Sequence, residues 1–292
     1  MTLHIHRAVL LVALAALALG VAALAGAPSA SASVLMISIV DADGDGTPDL
    51  VDSAGVTHND VTTIEGTGIE MLVVAIEGPK TTWDLTAPNA GAVTVDGYSV
   101  IAFSGIASLS GASGDDTFVF SASSSLGMRI DGGFGANTLD YSARTTGVSV
   151  NLVSGTAMGT TGISGIQNVI GGAGNDTLTG DGEDNSFTGG PGRDMINGYA
   201  GLDTLVETRN ANFTLTDTSL TVGSEGNDTL SGLEAARLTG GAGGNTLDAS
   251  DFTERAVLDG DGGNDVLRSG SGRDLLIGGA GDDVLSLSLI HI

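Results

Sequence analysis

Between Gly171 and Val206 the large apolar residues Leu178, Phe187, Ile196 and Leu205 recur every nine positions, each in the middle of a three-residue segment that follows a glycine-rich run of six. A period of nine matches neither the repeat of about 3.6 residues of an amphipathic helix nor a long two-residue alternation. It fits short strands with one inward side chain each, joined by turns. Two such units are expected to complete one coil, so that residues eighteen apart stack. The same frame returns at Gly111–Val119 and Gly132–Asp140, at Gly223–Ser231 and Gly240–Asp248, and in a tandem block from Gly260 to Ser286. Within 141–170, Val148, Val150 and Leu152 alternate like a strand with one face buried, and Phe213 to Val222 reads as a strand insertion between repeats. From Val56 to about Gly105, runs such as Ala92–Asp96 and Tyr98–Phe103 alternate apolar and polar residues between Gly, Pro and Asn, which predicts further β structure.

The turns carry the chemistry. The four tandem units are GGAGNDTLT, GDGEDNSFT, GGPGRDMIN and GYAGLDTLV. Gly171, Gly174, Gly189 and Gly192 serve turns that need positive φ, and the sixth position holds a carboxylate or its amide: Asp176, Asn185, Asp194 and Asp203. Stacking at eighteen residues puts Asp176 over Asp194 on one edge and Asn185 over Asp203 on the other. In the second block Asp265 and Asp283 share an edge, with Asp274 opposite; Asp116 and Asp228 hold the same position in single repeats. Parallel strands lie ~4.8 Å apart, and two carboxylates at that spacing repel by roughly 3 kcal/mol at an effective dielectric near 20. A divalent cation between coils reverses the sign.

Glycine, aspartate and an apolar residue in one register over four tandem copies resemble the calcium-binding nonapeptide of the RTX, or haemolysin-type, family. The stretch from Gly132 to Asp181 is also similar to a unit of large bacterial haemolysin-type proteins and adhesins. The resemblance implies a right-handed parallel β-roll, a β-solenoid with several Ca2+ ions between its coils, that folds when calcium binds. Sites beside Asn137, Asn185 and Asn245 are expected to be weaker.

A further calcium candidate is Asp41-Ala-Asp43-Gly-Asp45-Gly-Thr-Pro-Asp49-Leu-Val-Asp52. Asp41, Asp43, Asp45, Asp49 and Asp52 follow the ligand spacing of an EF loop with Gly46 at its sharp turn. With Pro48 in place, the segment resembles the calcium loops of thrombospondin type 3 repeats.

Composition sets the compartment. A formal charge of −25 with only ten basic residues, scattered, argues against nucleic acid and makes calcium the natural counter-charge. Residues Met1 to Ala32, with His6 and Arg7 before an apolar run and Ala30-Ser31-Ala32 at its end, read as an export signal. The absence of cysteine excludes disulfides and a lipid-anchored cysteine. An N-terminal leader departs from the C-terminal export signal typical of the RTX family and favours a surface or matrix protein. The last six residues, Leu287 to Ile292, break the repeat. They match the translation of a sequence resembling a transposon-end adapter, so the reading frame is expected to continue past Ser286.

The expected organisation is a signal at 1–32, a β-rich N-terminal region at 33–105 with a calcium loop at 41–52, a β-roll at 106–286 and adapter-derived residues at 287–292. Outside leader and adapter the chain has one histidine, His58, and no cysteine, so neither a Cys nucleophile nor a multi-histidine zinc site can be assembled. The reading is a non-catalytic, exported calcium-binding structural or adhesive protein, at the cell surface or outside the cell. Its partners are calcium ions, surface or matrix glycans or proteins, and further copies of itself through open sheet edges. The alternative is the repeat module of a truncated secreted hydrolase or protease; a third reading gives Val56–Gly105 a carbohydrate-binding role. Trp83, the only tryptophan, is expected in a core.

Overall fold

A computed structural model describes residues 2–4, 34–40, 49–52, 57–58, 63–74, 80–95, 100–111, 113–127 and 129–288. Among these residues there are strands and turns and no helix. Most of the expected leader, residues 41–48 of the acidic loop, and residues 289–292 lie outside them. The described chain forms two compact units.

The first unit comprises Met1–Phe118, Ser123–Asn137 and Gly159–Gly165. Its central strand, Thr63–Val74, pairs in parallel with Val34–Val40 and with Ile101–Ser110. The expected alternation appears as an antiparallel hairpin, Thr81–Ala87 with Ala90–Val95, whose second strand pairs with Ile101–Ser110. Beyond that strand the pairing turns parallel, through Arg129–Asp131 to Gly162–Ser164. Alternate side chains Trp83, Leu85, Val93, Val95, Ile101 and Phe103 point inward and are buried. Trp83 is fully buried, stacked on Phe118 at 6.0 Å and edge-on to Phe103 at 6.1 Å. It is a core residue, as expected, and offers no surface on which a sugar could stack.

The second unit comprises Val119–Ala122, Thr138–Met158 and Ile166–Ile292. Its chain alternates between two parallel ladders. One runs through Thr138–Asp140, Asn168–Ile170, Ser186–Thr188, Thr204–Thr208, Ala235–Gly241, Arg255–Asp261 and Leu275–Ile277. The other begins with Ser149–Asn151, Thr177–Thr179, Met195–Asn197 and Asn227–Ser231. It ends with Thr246–Asp251, Val266–Ser269 and Val284–Ser286. Leu178 pairs with Ile196 and Phe187 with Leu205, so two nonapeptides make one coil and partners stand eighteen residues apart. All four are buried between the ladders, as are Val148, Val150 and Leu152 upstream. This is an all-β, parallel β-roll.

One irregularity interrupts it. Residues 213–222, expected as a strand insertion, form an antiparallel hairpin, Phe213–Thr216 with Ser219–Val222, built into the second ladder. One arm pairs with Asn227–Ser231, the other with Thr246–Asp251. Phe213, Leu215, Leu220 and Val222 are buried, so the hairpin supplies core without supplying a coil.

Because Trp83 is the only tryptophan, its emission should be blue-shifted and shielded from iodide in the folded protein. Trp83→Ala should cost about 3–5 kcal/mol in denaturant unfolding. Red-shifted, readily quenched emission under conditions where the β signal is intact would contradict the burial.

Candidate metal centre

Each six-residue turn crosses from one ladder to the other and places its sixth side chain inside the turn. That side chain also reaches along the stack: Oδ1 of Asp194 accepts the backbone N–H of Asp176, and Oδ1 of Asp203 accepts that of Asn185, both at 2.8 Å. The row through Asp176 and Asp194 continues to Asp228, which accepts the N–H of Asp194 at 2.8 Å. Asp283 accepts from Asp265 at 2.9 Å, and Asp274, on the opposite edge, from Ala256 at 2.8 Å. In the first unit Oδ1 of Asp116 accepts the N–H and the hydroxyl of Thr81, at 2.8 and 2.5 Å, and Asn137 accepts the N–H of Asp116 at 2.9 Å. Thr81 thereby gives Asp116 the bond that an earlier coil gives elsewhere. The expected pairs Asp176/Asp194, Asn185/Asp203 and Asp265/Asp283 are therefore brought together. Asp41, Asp43 and Asp45 lie outside the described residues, while Asp49 and Asp52 bound a strand paired with Val34–Val40.

Sequence reasoning missed the fifth position. Asn175, Asp184 and Asn264 accept the N–H of the residue eighteen further on, Arg193, Leu202 and Asp282, at 3.1, 2.8 and 3.0 Å. In the first unit Asp115 does the same for Ala136 at 2.8 Å. Position five thus bonds forward while position six bonds back, an interlock that fixes which coils are neighbours. The signal was present as a recurrent Asn or Asp before the sixth residue. Glu234 was also missed: it accepts the N–H of Asp203 at 2.9 Å. Only residues 232–234 separate the strands Asn227–Ser231 and Ala235–Gly241, so the carboxylate sits nearer the strand and needs a longer arm.

The second carboxylate oxygen is the telling one. In Asp176 it accepts the N–H of Gly172 at 2.7 Å. In Asp116, Asp194, Asp203 and Asp265 it is buried with no hydrogen-bond partner. These oxygens stand against the first glycine of their own turn. A Cβ on Gly171, Gly189, Gly198 or Gly260 would overlap the carboxylate of Asp176, Asp194, Asp203 or Asp265. On Gly171, Gly198 and Gly260 it would also overlap the carbonyl oxygen of Gly189, Gly232 or Gly278 in the next coil. Of the four glycines expected at positive φ, Gly192 alone has it, at 155°, where it lies against the carbonyl of Gly174; Gly171, Gly174 and Gly189 are required instead by the close approach of carboxylate or backbone. Among the described residues no three acidic or histidine side chains converge. The donor set is one carboxylate per turn with backbone carbonyls, all hard oxygens, and it fits calcium.

Electrostatics agree. Burial pushes the Asp194 carboxyl up to about 7, with Asp228 and Asp176 adding to the rise. Burial likewise raises Asp203, helped by Glu234, and Asp228, helped by Glu207, each to about 6. Asp116 rises to about 6, and Asp176 is raised too, both chiefly by burial. A cation in the turns would relieve all of these.

Residues 161–205, 222–236 and 257–288 match the family model of the RTX calcium-binding nonapeptide repeat, in four copies. No curated protein matches the chain. The nonapeptides are RTX repeats, as their sequence indicated, and RTX nonapeptide repeats bind calcium ions.

The raised carboxyls set a pH dependence. Each binds its proton more tightly in the folded state than at the ordinary value of 3.8. Folded protein therefore holds more protons between about pH 4 and 7, and the stability present at low pH is lost as pH rises through that window. In chelator, β signal and Tm should increase from pH 8 to pH 5. With saturating calcium the trend should reverse, because binding needs the ionised carboxylates. Thermal scans by circular dichroism at both pH values check this; a Tm in chelator that climbs toward pH 8 contradicts it.

Proposed function

We propose that this chain is an exported calcium-binding structural or adhesive protein whose β-roll completes its folding when calcium binds outside the cell. The observation that carries this reading is the buried, partnerless carboxylate oxygen repeated at Asp194, Asp203 and Asp265 within RTX repeats. Such an oxygen is costly in the metal-free protein and becomes a ligand in the metal-bound one.

The assigned calcium ligands are Asp176, Asp194, Asp203, Asp265, Asp274 and Asp283, with Asp116 and Asp228 in the same position. The carbonyls of Gly171, Gly174, Gly189 and Gly192 complete the turns, and Asn185, an uncharged substitute, weakens its site. The loop 41–52 is a further site of its own. Export is supported by the apolar run from Ala8 to Ala27 followed by the small-residue site Ala30-Ser31-Ala32. Extracellular calcium suits loops that bind at ~10⁻⁴–10⁻³ M. Calcium then acts as the switch between an acidic, expanded chain inside and a rigid roll outside. Rows of short polar side chains along the ladders suit a surface or matrix contact.

A far-UV circular dichroism titration of residues 33–286 should show a cooperative gain of β signal between micromolar and millimolar calcium and none with magnesium. A spectrum already complete in chelator and unmoved by calcium would sink the folding switch. Gly189→Val should raise the calcium midpoint by on the order of tenfold or more, since the new side chain collides with the Asp194 carboxylate.

A further inference from the structure

The segment between two of the RTX matches, 206–221, contains all of the hairpin but Val222 and breaks the rule of the turns. There the nine-residue frame puts Glu207 where the other repeats carry glycine or, at Ser269, serine, and Asn212 in sixth place. Asn212 leaves the turn interior, its Oδ1 accepting the N–H of Thr246 at 2.8 Å. The space passes to Glu207, whose side chain is only 2 % exposed. Oε1 of Glu207 accepts the N–H of Gly189 at 2.8 Å and that of Gly190 at 3.2 Å. Gly190 is the counterpart of Gly172, whose N–H goes to Asp176, so Glu207 has taken the donor that Asp194 would otherwise hold.

Glu207 and Asp194 thus place two buried carboxylates at one turn, with Asp228 next in the row. The counter-charge comes from the chain itself. Arg209 Nη2 lies 3.3 Å from Oε2 of Glu207, and Nη1 pairs with Oε2 of Glu225 on the far side of the hairpin. Arg209 is 15 % exposed, and its charge also favours the ionised forms of Asp194 and Asp228. The guanidinium, held by two carboxylates at the base of the inserted hairpin, offsets the charge that Glu207 adds and leaves Oδ2 of Asp194 without a hydrogen-bond partner, as at the other turns.

We propose that Arg209, bridging Glu207 and Glu225, ties Gly189 and Gly190 to the base of the hairpin without calcium, forming a calcium-independent joint within the calcium-ordered roll. The inference rests on calcium ordering the regular turns.

The test is hydrogen exchange on the full chain in chelator and in calcium. In chelator the amides of Gly189, Gly190 and the 213–222 hairpin should stay protected, on the order of tenfold or more above those of Gly172, Asp181 and residues 260–286. Calcium should then protect the latter group. Equal loss of protection everywhere in chelator would overturn the joint while leaving calcium-driven folding intact. Full protection everywhere in chelator would overturn both. Arg209→Gln should make protection of Gly189 and Gly190 depend on calcium; chelator protection that survives in this variant would also overturn the proposal.

Discussion

The polypeptide buries carboxylate oxygens at its turns that it cannot itself hydrogen-bond, and the rest of the architecture is arranged around that fact. At Asp194, Asp203 and Asp265 one oxygen is fixed by a backbone N–H of the neighbouring coil. The other is held against a glycine that has no Cβ to fill the space. The ladders contribute one inward side chain per short strand, so the core is narrow and a coil has little apolar burial with which to offset an unsatisfied charge. Calcium, the ion that RTX nonapeptides bind, supplies charge where the fold lacks it. Where a glutamate takes the place of the glycine, at Glu207, the fold supplies an arginine to match it.

Much of this was legible in the sequence because the information is local and repeated. The nine-residue spacing of Leu178, Phe187, Ile196 and Leu205 gave two ladders and the eighteen-residue stacking. The same spacing placed Asp176 over Asp194 and Asn185 over Asp203. Val148, Val150 and Leu152 showed their buried face through alternation alone, and Trp83 sat in a core because a lone large aromatic in a strand is better buried than exposed.

What stayed hidden is non-local. Glu234 performs the task of an Asp from a shorter turn, and only the geometry of that turn reveals the equivalence. Glu207 and Arg209 look like a break in the repeat; their role depends on Gly189, eighteen residues earlier, and on Glu225, across a hairpin. Thr81 bonds to Asp116 from outside any repeat. The fifth-position residues Asn175, Asp184 and Asn264 were visible, but their position reads as surface until the forward bond to the next coil is seen.

The alternation between ladders also constrains how such a chain can change length. Gain or loss of eighteen residues adds or removes a whole coil, so every downstream turn keeps its edge and its fifth- and sixth-position partners. A change of nine carries all later repeats half a coil round, setting the row of Asp176 and Asp194 against that of Asn185 and Asp203. The inserted hairpin, which pairs within a single ladder, adds strands while leaving later coils on their original edges. Duplication by slippage of the coding sequence is therefore structurally silent in units of two repeats and disruptive in units of one.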